Sequence, residues 1–390
     1  MTTADQTGRV HRVMFIRSMP FEKDPRSERM ANEYGRHGFH VTKLAWTRGY
    51  PVPANDDLVA FRRAGRYGAK FGSLLNYVLW HFFIAWTMVR RRRSTDLVHV
   101  VDFNTAIIAI PLGRLLGKRL VYDACDHFAQ VFPEKSWRWK LAAGWERWLI
   151  RRADVAIFPD PIRLEQYGLE GLGHACTIGN VPEDDSLCVP EVGQAPARAD
   201  PLLFVYLGTL EAMHRGLEYI PYLCADYPDR VSFIVGGLGA LDDFFTAQAA
   251  RLDNLNYVGG QPYASALKFM SRADCLYGPY LLSAPAHIYA APNKMYEHLL
   301  LGKPLITSQG TPVADFVEAN GTGFIFDGDY ETLRELVGHL DHATCAARGA
   351  HARHLWTSRY NRLRAEQVAT FFAALGRALR PVDAPREAVQ

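Results

Sequence analysis

Lys294 and Glu297 stand three residues apart in the stretch 291–306, APNKMYEHLLLGKPLI, a spacing that puts a cation and a carboxylate on one face of a helix. Pro292 suits a position near the first helical residue and Gly302 the C-terminal cap, so the pattern predicts a short, bounded helix. The free amides and dipole at its start favour an anion. A carboxylate accepts hydrogen bonds from both hydroxyls of a ribose, while an ammonium and backbone amides meet phosphate oxygens. Together they describe a site for a nucleoside diphosphate. The plain alternative is a surface Lys–Glu ion pair, which contributes little.

A second cation lies in GTLEAMHRGLEYI, residues 208–220. Gly208 permits a tight turn after an apolar run, and His214 and Arg215 are expected near a helix start, where a guanidinium neutralises a diphosphate. Its charge-assisted hydrogen bonds are worth about 1.5 to 3 kcal/mol each; a lone arginine there is otherwise a surface residue. Gly236, Gly237 and Gly239 after the next apolar run give a ligand backbone clearance, or simply make a turn. In the first half, Asp126 and His127 follow RLVYDA, and Arg17, Asp24 and Arg26 share an early loop. Such loop residues belong to the carboxyl edge of a sheet, where a histidine assists proton transfer or is held structurally.

The elements that would position these groups alternate. RVMFIR (12–17), a helix over 26–37 and a strand from Phe39 open the chain as a βαβ unit. LVHVVD (97–102), RLVYDA (119–124) and DVAIFP (154–159) continue a parallel sheet, with helices near 104–117 and 136–152. Asp102 and Asp123 end strands and line its crevice. Residues 181–201 are rich in Pro, Ala and acidic side chains and read as a linker. A second alternation follows, with strands at 202–208, 231–237, 255–260, 274–280, 304–308 and 323–327, then a helical stretch over 329–379 and a frayed polar tail. The expected architecture is α/β: two Rossmann-like doubly wound domains facing a cleft. The first covers residues 1–180 and is rejoined by a C-terminal helix over 360–379; the second covers 202–359.

A chain of 390 residues suits two domains. Its 48% hydrophobic and 22% charged residues suit a soluble globular protein. Six scattered cysteines, without a CxxC pair, suggest neither zinc nor a disulfide framework and fit a reducing cytoplasm. The first residues lack the apolar run of a signal peptide, so secretion is not indicated. Net charge is +3, yet residues 1–180 carry about ten more basic than acidic side chains. Such a field suits an anionic membrane, a phosphate-bearing substrate or nucleic acid, or is an ordinary solvated surface. The apolar run 74–89, followed by Arg90 to Arg93, is shorter than the roughly 20 residues of a membrane span. With Arg62, Arg63, Arg66 and Lys70 upstream, the segment 62–93 could lie in an anionic membrane interface, or could pack on the sheet.

The series GTL…HRGLEYI, FIVGGLG, NYVGGQPY, ADCLYGPY and PNKMYEHLLLGKPLI, followed by VADFVEANGTGFIF, resembles the GT-B glycosyltransferases of family 4. The likeness covers most of 202–327; the first half is similar more loosely, through RSERMANEYGRHGFHVTKLAW, VYDACDHF and TIGNVPE. The resemblance implies retaining transfer of a hexosyl unit from a nucleoside diphosphate sugar, without metal or other cofactor. The donor would be held by the second domain and a sugar or lipid-linked acceptor by the first, with no nucleic acid as partner. Position by position, Glu297 matches the glutamate on the donor ribose and Arg215 the basic residue on the diphosphate, with Gly208, Thr209, Gly237, Gly239, Asn293 and Lys294 beside them. Arg215, Lys294, Asp126 and His127 are the expected catalytic residues, and Arg17, Asp24 and Arg26 the acceptor side. The sequence departs from the family where a first glutamate would stand at Tyr289, so His287 and Tyr289 meet the sugar differently. Thr209 and Leu210 likewise stand where a basic residue is usual. The expected setting is cytoplasmic, peripheral on the inner membrane face, in polysaccharide or glycolipid assembly. A soluble enzyme acting on a small natural product and a non-catalytic nucleotide-sugar-binding protein are the alternatives.

Overall fold

The structure, a computed structural model, describes residues 10–52, 56–65, 72–183 and 201–379. It divides into two compact units, one of residues 10–179 with 365–379, the other Asn180–Arg364. Most of the expected linker, Arg66, Lys70 and the polar tail lie outside the described residues.

The first unit holds seven parallel strands: β1 (Arg12–Arg17), β2 (His40–Trp46), β3 (Leu58–Phe61), β4 (Leu97–Val101), β5 (Arg119–Asp123), β6 (Val155–Phe158) and β7 (Ala175–Thr177). Their order is β3-β2-β1-β4-β5-β6-β7, which reverses between β1 and β4. The strands β3 and β7 are absent from the expected pattern, being short edge strands. Alternate residues feed two cores. Met14, Ile16, Val98, Val100 and Tyr122 face one helix layer, while Val13, Phe15, Leu97 and Val121 face the other. The first layer comprises the helices Gly72–Arg90, Phe103–Leu115 and Trp137–Arg152, whose Trp80, Ile84, Ala109, Ile110, Leu149 and Ile150 meet that face. On the opposite face lie Pro25–Arg36 and the end of Asn361–Leu379, through Tyr34, Phe371 and Phe372. Asp24 caps Pro25–Arg36 by accepting the Ser27 amide, and Pro25 opens the first turn.

The second unit has six parallel strands: β8 (Leu202–Leu207), β9 (Val231–Gly236), β10 (Leu255–Tyr257), β11 (Cys275–Tyr277), β12 (Leu305–Ser308) and β13 (Gly323–Phe326). The order β10-β9-β8-β11-β12-β13 reverses between β8 and β11. Crevices for ligands open at such reversals, beyond the strands' carboxyl ends. The helix Lys294–Leu301 stops at Gly302 in the left-handed conformation, with the Gly302 amide bonded back into its last turn. Its first helical residue is Lys294, so Pro292 stands before the cap rather than inside the first turn.

Candidate functional site

In the second unit the residues after β8 and β11 converge on the start of Lys294–Leu301. The Lys294 side chain is buried, and its ammonium donates to the Leu207 carbonyl at the end of β8. It also lies 4.4 Å from the centre of the Tyr206 ring, a cation–π contact. Gly208 makes this approach possible, because a Cβ there would stand 2.9 Å from Lys294 Nζ. Burial lowers the lysine to about 8, with Glu297 opposing and Arg215 adding to the shift. Glu297 is 4% exposed, and its charge reaches both Lys294 and Tyr280.

Arg215 sits in a loop, four residues before the helix Tyr219–Asp226 begins, and not at a helix start as expected. His214 and Gly216, at φ 71° and 59°, turn the chain on either side of it. Arg215 Nε donates to Glu211 Oε2 at 2.8 Å, and its guanidinium lies 4.4 Å from the Tyr280 ring centre. Burial lowers its pKa, but Tyr280 and Glu211 outweigh that and hold the cation charged. The His214 ring bonds Ser283 Oγ at 2.8 Å and Leu281 N donates to the His214 carbonyl at 3.0 Å. These bonds fasten the β8 loop to the β11 loop.

His287 is buried, and its Nδ1 meets the Leu281 carbonyl at 2.8 Å, so Nδ1 carries the proton in the neutral ring. Burial and then Arg215 lower its pKa. Tyr289 is half-buried and closes the same single turn, Pro285–Tyr289. The Asn293 carbonyl accepts the amides of Tyr296 and Glu297, both at 2.9 Å, while Thr209 is exposed and its carbonyl receives the Tyr206 hydroxyl. The space left by Gly237 and Gly239 is filled by the protein itself. A Cβ at Gly237 would lie 1.7 Å from the Gly208 carbonyl, and one at Gly239 2.3 Å from the Leu210 carbonyl. Their expected service to a ligand gives way to close backbone packing between adjoining loops.

At the reversal in the first unit, Arg17 reaches two carboxylates. Its Nε is 2.6 Å from Asp24 Oδ2, and its Nη1 donates to Asp102 Oδ2. Asp102 Oδ1 accepts the amides of Cys125 and Asp126 at 3.0 Å each. The backbone of Asp102 holds φ 61°, a strained conformation for a residue with a side chain. Burial pushes its carboxyl up to about 6 despite Arg17. Arg26 donates to Asp123 at 2.8 to 3.2 Å and to the Ile178 carbonyl at 2.6 Å. Burial pushes Asp123 up, but the Arg26 guanidinium and the nearby His99 ring prevail and hold it well below the usual carboxylate range. Of the predicted acceptor residues, Arg17 and Asp24 are therefore paired with each other, while Arg26 is taken up by Asp123.

Asp126 and His127 separate: Asp126 is exposed, while His127 is 4% exposed. The His127 ring stacks on Tyr167 with centroids 4.4 Å apart, and Nε2 lies 3.8 Å from Glu146 Oε2. Burial, then Arg163 and Arg147, lower His127 to about 4, and burial raises Glu146 to about 8. At neutral pH the two form an uncharged pair inside the unit. That setting is structural and corrects the expectation that His127 exchanges protons with a substrate.

The family described as Glycosyl transferase 4-like domain matches residues 24–172. That match lies in the half where the sequence signature is looser. The whole chain resembles the sucrose-phosphate synthase of Thermosynechococcus elongatus at 14% identity, with a TM-score of 0.70 over 95% of this chain and 99% of that one. It also resembles Anabaena HepE in complex with UDP-glucose (14%, 0.64, 93% and 99%). A third likeness is to WaaG, a glycosyltransferase involved in lipopolysaccharide biosynthesis (15%, 0.63, 92% and 99%). No curated protein sequence matches the chain. The fold is GT-B, with two Rossmann-like units.

Sequence reasoning misses Tyr206, Glu211 and Tyr280, which hold Lys294 and Arg215. Glu211 sits four residues before Arg215, which is a legible pairing signal. The tyrosines act through rings brought in from β8 and from the loop after β11, and no local pattern marks them.

Proposed function

We propose that the protein transfers a hexosyl unit, with retention at the anomeric carbon, from a nucleoside diphosphate sugar to an acceptor of cell-surface polysaccharide or glycolipid assembly at the inner face of a membrane. The observation that carries this reading is the convergence of Arg215, Lys294 and Glu297 at the reversal between β8 and β11. HepE in complex with UDP-glucose and WaaG in lipopolysaccharide biosynthesis support the donor class and the product class.

In such a transfer the bond from the sugar C1 to the phosphate oxygen breaks. The acceptor oxygen takes its place on C1, and the acceptor proton passes to the departing phosphate. Negative charge grows on the diphosphate, so fixed cations lower the barrier. Arg215 is held rigid by Glu211 and Tyr280, and Lys294 by Leu207 and Tyr206. Both are oriented before a donor arrives. Glu297 would accept the ribose hydroxyls, and no metal enters this reading. Asp126, exposed beside the Asp102 network, would face the acceptor.

The test is a thermal-shift screen against nucleotide sugars, followed by transfer of the labelled sugar to membrane extract. A donor that binds raises Tm in proportion to RT ln(1 + [L]/Kd). Arg215→Ala and Glu297→Ala are expected to abolish the shift while the protein remains folded. Transfer at the parent rate in both variants would overturn the site.

A further inference from the structure

We infer that the outer face of the three-helix layer in the first unit docks on an anionic phospholipid bilayer, and that an arginine pocket at one end of the layer takes lipid phosphate. The three helices lie side by side on one face of the sheet, and their inner residues fill its core. Their outer residues are apolar where a solvated face would be polar. On Gly72–Arg90 the exposed stripe is Leu75, Val78, Phe82, Trp86 and Val89; on Trp137–Arg152 it is Trp137, Leu141, Trp145 and Trp148. Both follow helical spacing. Phe82 and Trp137 are 69% and 70% exposed, and Leu115, on the helix between them, 83%. An apolar groove of about 280 Å³ runs beside Phe82 and Trp86.

The C-terminal ends of these helices meet at one end of the layer. Arg114 donates to the Arg152 carbonyl and Lys118 to the Arg92 carbonyl. A cavity of about 850 Å³ opens there, lined by Arg114, Gly144, Arg147, Trp148, Arg151 and Arg152, with no acidic side chain. Among the described residues, Arg147, Arg151, Arg152 and the run Arg90 to Arg93 form no ion pair with a carboxylate. Arg152 instead lies over Trp148 and Arg90 over Trp86, 4.5 and 5.5 Å from the ring centres.

This combination selects the occupant. Tryptophans beside arginines settle at the boundary between headgroups and acyl chains, where the rings meet hydrocarbon and the guanidinium groups meet phosphate. Nucleic acid offers phosphates but no apolar phase for Leu141 and Phe82. A second copy would set like charges against each other. Among the described residues no helix is long and apolar enough to cross a membrane, so the layer lies on the bilayer.

The inference takes its biological setting from the membrane-face reading above, and its test is independent of sugar transfer. The full chain is floated, without donor, with vesicles of phosphatidylcholine alone and of phosphatidylcholine mixed with phosphatidylglycerol. Binding is expected only to the mixed vesicles, with tryptophan fluorescence quenched by brominated acyl chains. R151E combined with R152E is expected to weaken that binding at least about tenfold. F82S combined with W145S is expected to lose the quenching. Arg151, Arg152, Phe82 and Trp145 are all exposed, so the variants keep the parent melting curve and nucleotide-sugar shift. Equal binding to neutral vesicles, or unchanged binding by the charge variant, overturns the inference. So does retention on RNA or W145S-sensitive self-association in a protein that does not float. Flotation without sugar transfer leaves the inference standing and removes the proposed activity; transfer without flotation does the reverse.

Discussion

The ammonium of Lys294 donates to the carbonyl of Leu207 through space that a side chain on Gly208 would occupy. The lysine is thereby fixed at the end of β8, beside the reversal in strand order, instead of extending into solvent. Gly208→Ala is expected to push the ammonium off this carbonyl. The new Cβ meets the far end of a side chain, so the stability cost stays near the lower part of the roughly 1 to 3 kcal/mol typical of overpacking. Donor affinity falls much more. Gly237→Ala is the contrasting case: its Cβ would strike the Gly208 carbonyl at a φ of 150°. Neither backbone yields cheaply, so urea unfolding is expected to show the larger loss for Gly237→Ala.

Lys294 carries a pH dependence whose sign is fixed by its surroundings. Its folded pKa of about 8 lies below its ordinary 10.5, so between these values the unfolded chain holds more protons than the folded one. Stability therefore rises as pH climbs from about 8 toward 10.5, as the cost of burying the ammonium is relieved. Donor affinity moves the opposite way, because the neutral amine no longer attracts a diphosphate. Calorimetric titration with a nucleoside diphosphate below and above about pH 8 is expected to show the fall. Lys294→Met, which keeps the stem's packing, should abolish that dependence and leave Tm at or above the parent value.

His127 and Glu146 titrate in opposite directions, and this separates a structural pair from a catalytic one. Below its ordinary 6.5 the histidine takes a proton more readily in the unfolded chain, so stability rises as pH climbs from about 4 to 6.5. Glu146 keeps its proton in the folded state from about 4.5 to 8, so its contribution falls over that window. Glu146→Gln is expected to remove the falling limb and to be at least as stable as the parent near pH 8. His127→Phe retains the stack on Tyr167 and is expected to transfer sugar within a few-fold of the parent rate, with an unchanged pH–rate profile.

The sheets were legible because their strands are short apolar runs closed by Gly, Pro or Asp, and buried parallel strands need no alternation. The helix at Lys294 was legible from its bounds, since Gly302 can adopt the left-handed cap that ends it. The surroundings of Lys294 were not legible. Its partner is a backbone carbonyl 87 positions away, and every residue offers one. Arg215 was misplaced onto a helix start because His214, like Gly216, turns left-handed, which its residue type does not announce. Asp126 and His127 are neighbours in sequence, yet one faces solvent and the other the core. That division depends on Tyr167 and Glu146, which arrive from separate helices. The tryptophans at 137, 145 and 148 are not singled out in the sequence reading, because only the layer of helices shows that they share an outward face.

Arg17 supports two buried carboxylates at once, and its removal is expected to be the most costly single change in the first unit. Arg17→Met leaves Asp24 and Asp102 without their shared cation, and breaking a buried pair in this way typically costs about 3 to 5 kcal/mol. The deficit depends on pH. Asp24 is raised by burial but held below its ordinary value on balance by Arg17 and Ser27, so its support is present above 3.8 and lost in acid. Asp102, raised to about 6, already loses stability as pH climbs from 3.8 through 6, and without Arg17 that loss extends to higher pH. Both effects make the variant weakest near neutrality and closest to the parent in acid, which urea unfolding across pH would measure. Arg17→Lys restores one charge but cannot reach both carboxylates with a planar fork, so it recovers only part of the loss. Because Asp102 also holds the amides of Cys125 and Asp126, the loop carrying Asp126 loosens in Arg17→Met. The expected kinetic mark is a raised KM for the acceptor with the donor KM unchanged.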